Sequence, residues 1–159
     1  MWVTRALFAV VAVVVSATAA AADITLFIGS TTSPANRPAR GFAVGAGLLV
    51  IGFEFEYSSS SEDAEAGAPS LRTGMGNVLL QTPGPIAGIQ PYFTTGAGGY
   101  REQLGAGSTT HVGVNTGGGA KISLVGPLRA RIDYRVFRLN GSPLANVVHR
   151  LYAGANLSF

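Results

Sequence analysis

The chain contains no cysteine, which removes disulfides and thiolate metal sites from the possible chemistry. Charge is scarce: 12% of residues are Asp, Glu, Lys or Arg, while 47% are hydrophobic. Beyond the N-terminus, however, no apolar run is long enough for a membrane helix. The formal net charge of +3 is small, and the arginines are spaced out rather than clustered, so no nucleic-acid footprint is expected. No repeat of roughly 20–50 residues is visible, which speaks against solenoids and propellers. What is plentiful is glycine, 22 of 159 residues. That disfavours a helical bundle and favours strands, turns and close backbone approaches. A chain of this length makes one domain.

Residues 1–22 have the three parts of a secretory signal: a positive charge at Arg5, an apolar run over 6–15, and small residues over 16–22. Ala20-Ala21-Ala22 fits the A-x-A cleavage rule, so Asp23 is the expected first mature residue and 23–159 the folded domain. The competing reading is an uncleaved anchor helix. It is weaker, because the strongly apolar part falls short of a full span.

The mature chain reads as strands. Over 128–136, Leu128, Ala130, Ile132, Tyr134 and Val136 alternate with Arg129, Arg131, Asp133 and Arg135, the period that puts successive side chains on opposite faces. Phe53, Phe55 and Tyr57 alternate with Glu54 and Glu56, and 42–50 alternates likewise. Further runs fall at 24–29, 71–81, 89–101, 111–122 and 147–159, which makes eight strands. The expected turns lie near 49–52, at 82–85 and at 125–127. Longer polar loops are expected at 30–41, 58–70, 102–109 and 139–145. This alternation of short and long connections, together with an even strand number, is that of a transmembrane barrel with short periplasmic turns. A soluble exported barrel of the calycin kind competes. There Leu128, Ile132 and Leu157 would line an apolar ligand cavity and the arginines would face water.

The end of the chain favours the membrane. Leu151, Ala153, Ala155, Leu157 and Phe159 share one face of a strand that runs to the last residue. This resembles the C-terminal pattern of bacterial outer-membrane barrels, in which a terminal aromatic with apolar residues at alternate positions is an assembly signal, here Leu157 and Phe159. The stretches 53–57, 75–79, 91–98, 115–119 and 128–135 are similar in order and spacing to the outer-membrane protein beta-barrel domain family, whose small members are eight-stranded barrels of the OmpA, OmpX and opacity-protein style. The resemblance implies an up-and-down antiparallel barrel in the bacterial outer membrane, a monomer held in outer-membrane lipid, with the barrel-assembly machinery and periplasmic chaperones as partners during biogenesis. The loops are shorter than in adhesive members, which argues against an adhesin.

Carrying the last strand's phase around the barrel sends Glu54, Glu56, Lys121, Arg129, Arg131, Asp133, Arg135 and Arg150 inward. Eight strands enclose only enough room for their own side chains, and enclosed charges must pair. The expected result is a salt-bridge plug with bases in excess of acids; a polar track for a small solute is the alternative. No catalytic residue, cofactor or metal ligand is expected. His111 and His149 fall near the outer rim, with no serine two residues on and no acid in phase, so they do not assemble nucleophile, base and orienter. Gly117-Gly118-Gly119 lacks the Lys-Ser/Thr and helix of a phosphate loop; close strand packing explains it. The aromatics Phe42, Phe53, Tyr57, Tyr92, Phe93, Tyr100, Phe137, Tyr152 and Phe159 lie mostly toward strand ends, as interfacial girdles do, with the lumen or its wall as the other expected place for Tyr152.

Overall fold

A computed structural model describes residues 20–159. The expected signal segment lies outside the described residues, apart from its last three alanines. The eight strands are β1 (Ala20–Thr31), β2 (Arg37–Leu48), β3 (Ile51–Ser60), β4 (Ser70–Gln81), β5 (Ile89–Leu104), β6 (Gly107–Val125), β7 (Leu128–Leu139) and β8 (Val147–Ser158). Each pairs antiparallel with the next, and β8 closes on β1. The architecture is therefore a closed eight-stranded meander, with no free sheet edge to aggregate.

The alternation in sequence becomes an inside and an outside. On β7, Arg131, Asp133 and Arg135 are fully buried, while Ile132 and Tyr134 are 48% and 47% exposed. On β3, Glu54 and Glu56 are buried, while Phe53 and Phe55 face outward. The same inversion holds on β1, where Ile24, Leu26 and Ile28 are exposed and Thr25 is not. A continuous exposed apolar band on a water-soluble protein would be a severe liability; on a membrane barrel it is the lipid contact. Leu128, Ile132 and Leu157 thus line no internal cavity, and the calycin reading fails on this point.

The connections depart from the expected alternation of short and long. Residues 102–109 are not a loop: β5 and β6 run 16 and 19 residues and stay paired up to Leu104↔Gly107. Gly105, at φ +57°, turns the chain in a two-residue hairpin. Both faces of that projecting end are polar, so no alternation marks it, yet the backbone ladder continues. The tight turn expected at 82–85 is a longer connection spanning 82–88, with an Ile86↔Ile89 bridge. β2 starts at Arg37, inside the expected 30–41 loop, and β3 runs on to Ser60, so the loop there spans 61–69. The β2–β3 turn is Leu49-Val50, with Leu49 itself at φ +52°. Gly52, the sole turn signal in that stretch, is a buried strand residue.

Candidate functional site

The interior is the candidate site, and it is layered. At the end where β1 begins and β8 finishes, Lys121 Nζ meets Asp23 Oδ2 at 2.5 Å. Arg129 is only half-buried there and donates to Gln90 Oε1 at 3.2 Å. A cavity of about 200 Å³ opens among Asp23, Glu54, Gln81, Gln90, Lys121 and Arg129.

Above it β7 contributes three inward charges at two-residue spacing, facing two from β3. Arg131 pairs with Glu54 and reaches Asp133 at 3.2 Å. Arg135 reaches Glu54 at 2.9 Å and Asp133 at 2.9 Å. Glu54 and Asp133 therefore each touch both guanidinium groups. Arg135 also stands 3.0 Å from Glu56, an ion pair whose angle makes no hydrogen bond. Glu56 in turn pairs with Arg150, which donates to Ser58 as well. These six charges form one connected cluster with as many acids as bases. The hydrogen bonds that buried charges require come from Tyr92, Thr25 and Asn77. Tyr92 donates to Asp133 and accepts from Arg131 Nε at 2.7 Å, while Thr25 accepts from Arg131 at 3.3 Å. Asn77 donates to Glu54 at 3.5 Å and accepts from Asn115 at 2.8 Å.

Aromatic rings fill the space between charged groups. The Tyr92 ring centroid lies 4.8 Å from the Arg131 guanidinium, and that of Phe137 lies 4.5 Å from Arg150. Phe27 stacks on Tyr152 with centroids 4.0 Å apart. Toward the loop end the lining turns apolar, with Leu71, Met75, Tyr100, Phe137, Leu139 and Val148 packed as one cluster. Arg37 and Glu102 lie buried beyond it.

All eight charges read from the sequence as inward do face inward, but they do not form one ladder. Six form the cluster, Lys121 belongs to a separate pair, and Arg129 bonds an amide. Asp23 neutralises Lys121 and so reduces the expected excess of bases, and Arg129 is left as the base of this set with no acid partner among the described residues. Sequence reading missed Asp23, which it treated as a chain end, and Tyr92, which it placed in a girdle. Tyr100, Phe137 and Tyr152 are likewise buried inside, whereas Phe42, Phe53, Tyr57, Phe93 and Phe159 face outward. Strand parity was the available signal, since Tyr92 shares its phase with Gln90. The histidines stay on the outside. His149 Nδ1 and the Tyr134 hydroxyl share a hydrogen bond of 2.7 Å, and the His111 ring lies against Gly141. Among the described residues no group of acids and histidines is arranged to hold a metal ion.

No protein-family model matches this chain, and no curated protein matches it either. Solved structures do. Neisserial surface protein A, NspA, is similar over 89% of this chain and 98% of its own, at 15% identity and a TM-score of 0.71. The N-terminal β-barrel domain of Pseudomonas aeruginosa OprF is similar over 87% of this chain and 97% of its own, at 16% identity and a TM-score of 0.66. The outer membrane enzyme PagL is similar over 85% and 98%, at 11% identity and a TM-score of 0.54. At such identities the likeness is one of fold, and the fold is that of the small eight-stranded outer-membrane β-barrels.

Proposed function

We propose that this protein is a non-enzymatic barrel of the bacterial outer membrane with a closed interior, serving a structural or surface-interaction role rather than passage of solutes. The balanced cluster of Glu54, Glu56, Arg131, Asp133, Arg135 and Arg150 under an apolar lid carries this reading. An ion would have to break several buried pairs and then cross Leu71, Met75 and Phe137, where nothing replaces its hydration. The cavity near Asp23 and Lys121 is a dead end beneath that plug. The non-enzymatic reading is supported by the surroundings of the histidines: the side-chain partner of His149 is a tyrosine hydroxyl, and among the described residues neither histidine has a carboxylate within ion-pair distance.

The test is planar-bilayer recording of the purified, folded barrel. The expected trace shows no steady single-channel steps. Large, stable conductance would mean an open lumen and would end the plug reading.

A further inference from the structure

Closure hides the edges of a sheet only where all eight strands run, and at the loop side they do not run equally far. β5 reaches Leu104 and β6 starts at Gly107, but the β6–β7 register ends at Gly113↔Leu139. One further bond, from the Asn140 amide to the Val112 carbonyl oxygen at 3.2 Å, finishes that ladder. The chain leaving β7 then turns in over the mouth. The Asn140 carbonyl oxygen accepts from the hydroxyl of Tyr100, a ring buried inside the barrel, and Gly141 lies against the His111 ring. Among the described residues no strand occupies the lane beside 107–111.

Successive residues of a strand turn their N–H and C=O groups to opposite sides. Gly107 faces Leu104 across the hairpin turn, and Val112 faces β7 through its carbonyl. Ser108 and Thr110 share the parity of Val112, so the N–H and C=O groups of both point into the vacant lane. All of 105–112 is exposed.

Proteins usually blunt such an edge with lysine, proline, a bulge or an inward charge. Gly-Ser-Thr-Thr-His-Val over 107–112 has no proline and no Lys, Arg, Asp or Glu. The register shift in β6 lies at its other end, between Ser123 and Val125. Threonine and valine are strand formers. Nor is the projection loose. β4 covers the far side of β5 as far as Ser70↔Gln103, so three strands support one another there. The hairpin tip is tied down where Glu62 Oε1 accepts from the Gly105 amide at 3.0 Å. An edge held in advance loses little freedom when another strand adds to it.

The charge beside the edge selects the kind of strand. Arg101 lies opposite Thr110 on β5, and its side chain leans onto β6, where Nη2 donates to Ser108 Oγ at 3.3 Å. The guanidinium thus stands about one strand spacing from the vacant lane. Among the described residues no carboxylate lies within ion-pair distance of it, and its cross-strand neighbour on β4 is Arg72, not an acid. A carboxylate on an added strand, opposite Ser108 or Thr110 and on the outward face, meets this charge; a lysine there is repelled.

We propose that the 107–112 edge of β6 is a docking site for an extended, acidic segment of another protein outside the cell, which adds to the sheet in line with β7 and sets a carboxylate beside Arg101. This names the partner class of the surface-interaction role proposed above and rests on that reading. It commits to a different protein and not to a second copy of this chain, whose own edge brings no carboxylate to Arg101.

The test is NMR titration of the folded mature chain in detergent micelles with a capped peptide of alternating valine and glutamate, about as long as the edge. The same peptide with lysine in place of glutamate is the control. The glutamate peptide should slow amide exchange at Ser108 and Thr110, and should bind roughly tenfold more tightly than the lysine peptide, the ratio that one charge-assisted bond gives. Arg101→Gln should remove most of that difference. Thr110→Pro takes away an edge donor without touching a bond to β5, and should weaken the glutamate peptide about tenfold or more. Heat-modifiable gel mobility shows that each variant is folded, and if Thr110→Pro does not fold, Arg101→Gln and the lysine peptide decide. Equal binding of the two peptides by the wild type, protection elsewhere than on this edge, or undiminished binding by folded Thr110→Pro overturns the proposal. Dimers that protect Ser108 and Thr110 without any peptide overturn it in favour of a second copy. Failure of the surface role shows differently: labelled glutamate peptide would bind the purified barrel but not intact cells that carry it in the outer membrane, and the docking site outside the cell falls with that role. Loss of edge binding alone leaves the closed barrel standing.

Discussion

Arg131 shows what one side chain does in an interior this narrow. Its Nε–H donates to the Tyr92 hydroxyl at 2.7 Å, its terminal nitrogens reach Glu54 and Asp133, and the Tyr92 ring packs beside the guanidinium. Truncation to alanine removes one of the two bases from both acids and leaves Tyr92 without its donor. Breaking a buried pair in this way costs about 3–5 kcal/mol. Tyr92→Phe is milder, because the charges stay paired and only the hydroxyl between Arg131 and Asp133 is lost, about 1–3 kcal/mol. The temperature at which the fast-migrating folded band disappears from gels should therefore fall in the order wild type, Tyr92→Phe, Arg131→Ala. An Arg131→Ala barrel as heat-resistant as wild type would mean that the cluster is not what holds the interior. The charges themselves were readable from alternation, since residues two apart share a face. Their partners were less so. Asp23 and Tyr92 reach Lys121 and Arg131 across the lumen from strands 98 and 39 residues away, and no local pattern encodes a distance across a barrel.

At the level of elements, strand existence was legible and strand ends were not. Apolar-polar alternation marks a strand only where one face meets lipid and the other the lumen. It vanishes where both faces meet water, as on the hairpin of β5 and β6 beyond Glu102. The β2–β3 turn was obscure for a different reason. Its positive-φ residue is Leu49, whereas such positions normally carry Gly, Asn or Asp, and Gly52 drew attention instead. The left-handed conformation costs a side-chain-bearing residue such as leucine roughly 1–2 kcal/mol, and asparagine tolerates it better. Leu49 is 69% exposed, so little internal packing is at stake. Leu49→Asn should raise the unfolding temperature of the detergent-folded barrel, with a gain of up to ~1 kcal/mol. A lower temperature would show that Leu49 stabilises the barrel through contact with the surrounding amphiphile more than its backbone strain costs.

The whole molecule depends on one seam, the pairing of β1 with β8. That register runs from Asp23↔Ser158 to Thr31↔Arg150. Loss of Ala20–Ala22 on processing would leave every β1–β8 pair in place. Phe159 lies just past the seam. Its ring is 71% exposed, and its amide donates to the Ala22 carbonyl at 2.8 Å, a bond that processing after Ala22 would remove. The folded barrel thus gains little from this residue, and closure is carried by the nine register pairs before it. The resemblance of Leu157 and Phe159 to an assembly signal implies a different role for Phe159, one exercised during assembly, before the seam has formed. The two roles separate by experiment. A chain ending at Ser158 should refold from denaturant into detergent with nearly wild-type yield and heat resistance, because no lumen pair and no seam pair is touched. In cells the same chain should reach the outer membrane at a much lower level while still being exported. Equal loss in both settings would make Phe159 a structural residue of the barrel, and full accumulation in cells would remove it from assembly altogether.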